Sequence, residues 1–210
     1  MNIATAYSDW SPRYDSEINL TRDLDAVVTR RLAGSGPFPL VVEAGCGTGK
    51  NTRHFSQIGS AVHALDFSSG MLDLARRNVA APNVLYREAD LTATWPCCTG
   101  AADLVSFNLV LEHIQRLDAV LGEATRVLRP GGRVLVSELH PFKQYQGSQA
   151  RFTTTEGAEF KVPAFTHHVS DYLRAALGGG LRLVQLDEWW HPDDDAGGAP
   201  RLLSLLFERG

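Results

Sequence analysis

The chain has 210 residues, a hydrophobic content of 44%, a formal net charge of −4 and a sequence pI near 6.0. This composition fits one compact domain, and the lack of an overall basic charge argues against a nucleic-acid partner. Three cysteines form neither a disulfide framework nor a Cys-x-x-Cys ligand pair. No signal core occupies residues 1–15, and no run approaches the ~18 apolar residues of a membrane span. We therefore expect a reduced, cytoplasmic protein.

Helical and apolar patterns alternate along the first two thirds of the chain. Apolar residues from Ile18 to Leu32 recur with a helical period and predict a helix that covers one side of a sheet. The predicted strands that follow are 39–44, 61–65, 84–86, 102–107 and 133–138, and the predicted helices begin at Thr48, at Ser68 and around Ile114. This alternation indicates an α/β protein whose mainly parallel sheet is covered on both faces.

The C-terminal part has a different pattern. Residues 152–155 and 160–162 flank Glu156-Gly157 and predict a small hairpin, and a helical pattern runs from Val169 to Leu177. Strands at 181–186 and 202–207 follow with no helix between them, which favours antiparallel pairing.

Glycines alternate in Gly45-Cys46-Gly47-Thr48-Gly49, directly after the first predicted strand. Glycine lets the backbone turn sharply and approach a ligand closely, and the start of the next helix supplies unpaired N–H groups. The nicotinamide fingerprint also needs a glycine at position 50, where this chain has Lys50. A phosphate loop needs Gly-Lys-Ser/Thr, where the chain has Gly49-Lys50-Asn51, so neither phosphate-binding motif is present.

The segment from Glu43 to Gly49 resembles the first motif of class I S-adenosylmethionine-dependent methyltransferases. Later segments resemble the further motifs of this family in order: the strand end at Asp66, then Glu88 to Leu91, Asp103 to His113 and Leu128 to Leu135. Glu43 and Ala44 stand where Asp and Leu or Ile are common in the family. The resemblance covers residues 39–139. It implies a Rossmann-like, doubly wound α/β domain over 1–210, with a seven-stranded, mostly parallel sheet, an antiparallel last strand and a small cap insertion after the fifth strand.

The same resemblance implies S-adenosylmethionine as cofactor and S-adenosylhomocysteine as product. Asp66 is expected to accept hydrogen bonds from both ribose hydroxyls and Asp90 one from the adenine amine, with Met71 on the adenine face. The other expected cofactor residues are Glu43, Gly45, Cys46, Gly47, Gly49, Phe67, Leu91, Asn108 and Tyr14. Asp66 as a helix cap, Met71 as a core residue and Asp90 as a solvated loop carboxylate are the alternatives.

Methyl transfer from a sulfonium is an in-line displacement, which needs alignment and exclusion of water. A base is needed only where the acceptor atom carries a proton. His113, beside Glu112, and His140 follow predicted strands at their carboxyl ends, where open α/β sheets bind ligands. These two histidines are the candidate catalytic bases, and a structural role is open for each.

Aromatic residues mark two segments that could enclose a substrate. Residues 141–168 are predicted to form a cap, in which Phe142, Tyr145 and His168 contact the substrate. Tyr7 and Trp10, with Tyr14, resemble the lid of the family within residues 1–16, and packing of these aromatics on the first helix is the alternative. His167-His168 has no metal-ligand spacing, so no metal is expected.

The sequence thus predicts a methyltransferase that acts on a hydrophobic or aromatic small molecule, as a monomer or homodimer, without nucleic acid or a membrane span. Two other classes stay open. A non-catalytic or regulatory cofactor-binding protein fits because the motifs concern the cofactor alone. A nicotinamide-dependent oxidoreductase is disfavoured by Lys50 and by the antiparallel ending, and the missing basic stripe disfavours RNA as a methyl acceptor.

Overall fold

A seven-stranded β-sheet organises the chain in the computed structural model, which describes residues 19–149, 151–153, 159–195 and 197–210. The strands of this sheet are β1 (Phe38–Ala44), β2 (Gly59–Asp66), β3 (Val84–Glu88), β4 (Ala102–Asn108), β5 (Leu128–Leu139), β8 (Leu181–Trp189) and β9 (Leu202–Arg209). A separate antiparallel pair consists of β6 (Arg151–Thr153) and β7 (Glu159–Lys161). The helices are α1 (Leu20–Ala33), α2 (Thr52–Ile58), α3 (Ser69–Asn78), α4 (Leu117–Val127), α5 (Pro141–Tyr145) and α6 (Val169–Gly178), with a 3-10 turn at Leu111–His113.

The strand order of the sheet is β3-β2-β1-β4-β5-β9-β8. Every neighbouring pair from β3 to β5 is parallel, whereas β9 runs antiparallel to both β5 and β8. The predicted fold, with one antiparallel strand that comes last in sequence, is therefore confirmed. The order reverses between β1 and β4, and open α/β sheets bind their ligands beyond the carboxyl ends of the strands at such a point.

Both faces of the central strands are buried, because their successive residues belong to different hydrophobic clusters. Val41 and Leu104 pack in a cluster with Phe55 of α2, whereas Val42 and Val105 pack in the cluster that also holds residues of α4 and α6. Successive side chains of a strand point to opposite faces, so this alternation requires an apolar layer on each side. Among the described helices, none is long and apolar enough to cross a bilayer.

Local capping side chains and backbone conformation determine where the helices begin. Two helices begin at other residues than the sequence predicted. Ser68 caps α3, because its hydroxyl accepts a hydrogen bond from the Met71 amide at 3.3 Å. The helix predicted from Thr48 begins instead at Thr52, since Gly49 has a φ of +88°, outside the right-handed helical region. Ile114 precedes α4 and belongs to the end of the 3-10 turn, where its amide donates to the Leu111 carbonyl.

The packing of Phe107 provides a test of this fold. Phe107 is fully buried on β4, and its ring meets the edge of the Trp95 ring with centroids 5.9 Å apart. We expect Phe107→Ala to lower the free energy of unfolding by about 3–5 kcal/mol in urea denaturation, because it leaves a large cavity. Leu85→Ala is the control: Leu85 is 42% exposed on the edge strand β3, and its loss should cost below about 1 kcal/mol. Equal losses for the two variants would contradict the assigned core.

Candidate cofactor and acceptor site

A cavity of about 340 Å³ lies at the carboxyl ends of β1, β2 and β4, beside the point where the strand order reverses. The predicted site residues that line it are Gly45, Gly47, Asp66, Phe67, Met71, Asp90, Leu91, Asn108 and His113. Thr92, Leu109, Val110 and Ile114 also line it and were not predicted as site residues. The structure thus brings together residues from the first two βα units, from the loop after β3 and from the turn after β4.

The glycines of the loop after β1 meet different surroundings. A Cβ at Gly45 would lie 2.6 Å from Cγ2 of Val110, and one at Gly49 would lie 3.3 Å from Cα of Ala75 on α3. A Cβ at Gly47 would meet no atom within 4 Å. Gly45 and Gly49 therefore allow close packing of protein on protein, whereas Gly47 borders the open cavity.

Asp66 joins the glycine loop to the start of α3. One carboxylate oxygen accepts a hydrogen bond from the Gly47 amide and the other accepts one from the Ser68 amide, both at 2.9 Å. The side chain is buried, and this burial raises the pKa of Asp66 to about 6. Because Ser68 caps α3, Asp66 is not the helix cap that the sequence left open.

Asp90 and Met71 line the same cavity from neighbouring segments. One Asp90 oxygen accepts from the backbone amide of Thr92 at 2.8 Å and from its hydroxyl at 2.7 Å, which holds the loop after β3 in a turn. Met71 is 1% exposed and lines the cavity from α3, so it is both a core residue and part of the pocket wall.

Three residues predicted to bind the cofactor, Glu43, Cys46 and Gly49, are not among the residues that line the cavity. Glu43 is buried, and its carboxylate accepts from the Thr52 hydroxyl at 2.5 Å, which connects the end of β1 to the start of α2. Burial raises its pKa to about 8 and raises the pKa of the Cys46 thiol. Glu43, Cys46 and Gly49 thus support the loop in this structure, and their direct contact with the cofactor stays a prediction.

Asn108, at the end of β4, connects the cavity to a buried polar cluster. Its amide nitrogen donates to Asp25 at 2.9 Å and to the Thr29 hydroxyl at 2.6 Å, and its amide oxygen accepts from the Ser106 hydroxyl at 2.5 Å. Asn51 also donates to Asp25, at 2.8 Å. Burial raises the pKa of Asp25, whose carboxylate links α1 to the pocket wall.

Sequence reasoning missed Asp25, although a signal was present. In a helical projection Asp25 shares one face with Val28, Thr29 and Leu32, so it is a charged residue on the apolar side of α1. Asp25 is 3% exposed, and Val28 and Thr29 are fully buried. A carboxylate on the buried face of a predicted helix indicates a polar partner in the interior.

Leu109 adopts a left-handed backbone conformation in the cavity wall. Its φ is +53°, which is uncommon for any residue other than glycine, asparagine or aspartate. A hydrogen bond of 2.9 Å from the Leu109 amide to the Ser137 carbonyl of β5 holds this conformation. Backbone strain of this kind is found at functional sites, which agrees with the place of Leu109 beside Asn108.

The predicted cap packs on the turn that forms one wall of the cavity. The Phe165 amide donates to the Glu112 carbonyl at 2.7 Å, and Gln144 donates to the Glu112 carboxylate at 3.1 Å. His113 Nδ1 lies 2.9 Å from the Pro163 carbonyl, and His167 Nε2 lies 2.8 Å from the carbonyl of Ile114. The segment after β5 is therefore held against the 3-10 turn by a series of hydrogen bonds.

His140 has a different environment from His113. Its Nδ1 accepts from the Phe142 amide at 3.1 Å, so it caps α5, and its Nε2 lies 3.0 Å from the Glu188 carboxylate. Both ring nitrogens are bonded, and His140 is not among the cavity-lining residues. This geometry favours the structural role that the sequence left open, and His140 as a base stays a prediction.

The remaining predicted substrate residues do not line the cavity. Phe142 and Tyr145 are 47% and 55% exposed, and the Tyr145 hydroxyl lies 2.6 Å from Nδ1 of His168. These three residues form an exposed cluster on α5 and at the start of α6, so their contact with a substrate stays a prediction. Tyr7, Trp10 and Tyr14 lie outside the described residues.

Comparison with known proteins agrees with this site. Residues 42–136 match the methyltransferase domain family. The chain is 38% identical over 140 residues to malonyl-[acyl-carrier protein] O-methyltransferase of Serratia marcescens, which covers 65% of this chain and 52% of that protein. It is 32% identical over 148 residues to demethylmenaquinone methyltransferase of Renibacterium salmoninarum, and the alignment covers 66% of this chain and 60% of that protein. The structure of a DhpI–SAH complex aligns with a TM-score of 0.74 and 25% identity, over 99% of this chain and 95% of that one.

The fold, the lining of the cavity and these similarities together point to one class of protein. The chain is similar to S-adenosylmethionine-dependent methyltransferases in sequence and in fold, which agrees with S-adenosylmethionine as the cofactor. The chain spans about half the length of the malonyl-[acyl-carrier protein] methyltransferases it matches.

The contrast between Gly45 and Gly47 can be tested by two matched variants. Gly45→Ala would place a methyl group against the stiff side chain of Val110 and force alanine to a φ of +83°, so it should lower the free energy of unfolding by about 1–3 kcal/mol. Gly47→Ala carries only the conformational strain, about 1 kcal/mol. Urea denaturation of both variants without cofactor measures the difference. A larger loss for Gly47→Ala would contradict the packing described.

Proposed function

We propose that this protein transfers the methyl group of S-adenosylmethionine to a hydrophobic or aromatic small molecule by in-line displacement. The observation that carries this proposal is the convergence of Gly47, Asp66, Met71 and Asp90, from the first two βα units and the loop after β3, around one cavity. Two similar proteins are named as methyltransferases of malonyl-[acyl-carrier protein] and of demethylmenaquinone. These names support methyl transfer to an acceptor other than nucleic acid.

The cofactor would lie along the carboxyl edge of the sheet with its adenosine over β2 and β3. The ribose hydroxyls would donate to Asp66, which already holds two loop amides, and the adenine amine would donate to Asp90. Met71 and Leu91 would contact the adenine ring. The methionine part would then lie over Gly45 and reach Asn108 at the end of β4.

The charges around the cavity suit a cationic cofactor. Asp66 and Asp90 line it, and the lining includes neither lysine nor arginine among the described residues. A sulfonium ligand would be attracted by this acidic environment, since interactions between charges are strong where water is excluded.

The acceptor would occupy the end of the cavity near the 3-10 turn. Leu109, Val110 and Ile114 provide apolar surface there, and His113 provides the polar group. The cap held on this turn would exclude water from the transferring methyl group. An apolar wall with one polar side chain fits a small hydrophobic acceptor.

Replacement of Asp66 tests the position of the cofactor. We expect Asp66→Ala to weaken S-adenosylmethionine binding by about 2 kcal/mol or more, roughly 30-fold, because two charge-assisted hydrogen bonds to the ribose are lost. Isothermal calorimetry measures the change. Asp73→Ala is the matched control, because Asp73 is an exposed acid on α3 paired with Arg76. Unchanged affinity in Asp66→Ala would exclude this ribose site.

The pH dependence of binding tests the same carboxylate. Burial raises the pKa of Asp66 to about 6, so it is ionised above that pH and protonated below it. The ionised carboxylate is the stronger acceptor for the two ribose hydroxyls, so the affinity for S-adenosylmethionine should fall as the pH is lowered through about 6. Asp66→Asn should bind weakly and without this dependence. A wild-type affinity that is constant from pH 5 to pH 7 would contradict the assignment.

Gly47 and the catalytic activity itself provide two further checks. Gly47→Val should abolish cofactor binding while circular dichroism stays close to that of the wild type, because the branched side chain would enter the cavity.

Incubation with methyl-labelled S-adenosylmethionine and metabolite extracts should label a small molecule. A protein that binds the cofactor and labels nothing would instead be the non-catalytic binding protein that the sequence motifs also allow.

A further inference from the structure

A second cavity, of about 320 Å³, lies beside α1 and is separate from the cavity described above. Its lining comes from α1 and its N-cap, the loop after β1, the first turn of α2 and the end of α3; the residues are Asn19, Arg22, Asp23, Arg30, Thr48, Gly49, Lys50, Arg53 and Asn78. The described linings of the two cavities have no residue in common. We call this second cavity the basic groove.

Cationic side chains from three segments of the chain line the basic groove. Arg22 and Arg30 lie about two turns apart on α1. Lys50 belongs to the loop after β1 and Arg53 to α2. The described part of the lining holds one carboxylate, that of Asp23. Positive charges that share one concave surface repel each other, and a bound anion would relieve this repulsion.

Two contacts join the walls of the basic groove. Nζ of Lys50 lies 2.6 Å from Oδ1 of Asp23, in an ion pair that connects the loop after β1 to α1. Nη2 of Arg53 donates to the Asn78 carbonyl at 2.6 Å, which connects α2 to the end of α3. A guanidinium has five N–H donors, so Arg53 can make this bond and bind an anion as well.

The pKa values of two neighbouring groups indicate a positive potential at the basic groove. The hydrogen bond from Lys50 lowers the pKa of Asp23, and the positive charges of Lys50 and Arg22 act in the same direction. The pKa of His54, on α2, is lowered by burial and by the positive charge of Arg30. A nearby positive charge favours a carboxylate and disfavours an imidazolium, so these charge effects have the same origin.

The kinds of side chain in the basic groove indicate the chemistry of its ligand. Arginine presents a planar set of donors that matches the oxygens of a phosphate group, and three of the four described cations are arginines. Besides Asp23, the other described lining residues are polar or glycine: Asn19, Thr48, Gly49 and Asn78. The volume of about 320 Å³ is at the lower end of the range for small-molecule sites. These features suit a phosphate group carried by a small polar body.

We propose that the basic groove binds a small polar phosphate monoester, at a site apart from both the cofactor and the methyl acceptor. The phosphate dianion accepts hydrogen bonds from the guanidinium groups of Arg30 and Arg53 and lies near the ammonium group of Lys50. The glycine loop separates this ligand from the cavity that Asp66 lines. The site goes beyond the methyl-transfer function proposed above and is independent of it.

A matched pair of probes tests the class of ligand. Calorimetry at constant ionic strength should show that ribose 5-phosphate and inorganic phosphate each bind at one site per chain, whereas ribose does not bind. Binding of neither phosphate compound, or equal binding of ribose, would overturn the proposal.

Vesicles test whether the phosphate belongs to a lipid surface instead. Phosphatidylcholine vesicles that contain phosphatidate present a phosphate monoester as a lipid headgroup. The protein should remain in the supernatant when these vesicles are sedimented, under conditions in which ribose 5-phosphate binds. Co-sedimentation without binding of ribose 5-phosphate would overturn the proposal, because the ligand would then be a membrane.

Three substitutions test the position of the site. Arg30→Gln and Arg53→Gln should each weaken the binding of ribose 5-phosphate at least about fivefold, because charge-assisted hydrogen bonds are lost. Arg77→Gln is the matched control, since it removes the same charge from an exposed position on α3 outside the described lining, and it should bind as the wild type does. An equal loss in all three variants would show only an effect of net charge. Unchanged binding in Arg30→Gln and Arg53→Gln would exclude this site.

The site can also be observed in the unmodified protein, whether or not the variants fold. In a ¹H–¹⁵N correlation spectrum, added ribose 5-phosphate should shift the amide signals of Arg30, Lys50 and Arg53. These shifts should persist in protein saturated with S-adenosylhomocysteine, because different residues line the two cavities. Shifts that are confined to Gly47 and Asp66, or that disappear when S-adenosylhomocysteine is bound, would place the phosphate in the other cavity and overturn the proposal.

Discussion

The carboxylate of Asp66 connects the parts of the molecule that surround the cavity. It accepts hydrogen bonds from Gly47 in the loop after β1 and from Ser68 at the start of α3, each at 2.9 Å. A buried carboxylate needs such partners, because its desolvation is otherwise unfavourable. The two bonds therefore tie the glycine loop to the end of β2 and keep the space beside Gly47 open.

The other side of the cavity is built by contacts between distant segments. The turn after β4 is bonded to β5 through Glu138, which accepts from the Val110 and Leu111 amides, and to the cap through Glu112 and His113. The side of the cavity lined by Asp66 and Asp90 thus depends on the parallel strands, whereas the side formed by the turn after β4 depends on contacts with the insertion after β5. This division explains how one methyltransferase fold can present different acceptor pockets: the cap can vary while the sheet and the glycine loop stay the same.

Buried carboxyl groups are the main electrostatic feature of this end of the sheet. Burial raises the pKa of Asp25 and raises those of Glu43 and Glu138 to about 8, and each is held by hydrogen bonds from neighbouring groups. Such groups contribute little favourable energy by themselves, because removal from water opposes their ionisation. Their position behind a cavity that receives a sulfonium cation gives them a second effect, since a bound positive charge favours their ionised forms. Cofactor binding and the protonation of this cluster are therefore linked.

The sequence by itself determined the order of strands and helices, the glycine loop, and the place of Asp66 and Asp90 at strand ends, because each depends on local periodicity or on motifs within a few residues. Tertiary structure decided the rest. The place of Asp25 behind the pocket wall depends on how α1 packs on β5 and β9, and the capping of α5 by His140 depends on contacts formed after folding. The contact of the His113 ring is with Pro163, fifty residues away. Contacts between residues so far apart along the chain leave no local pattern in the sequence. Only the packed structure brings such groups within hydrogen-bonding distance.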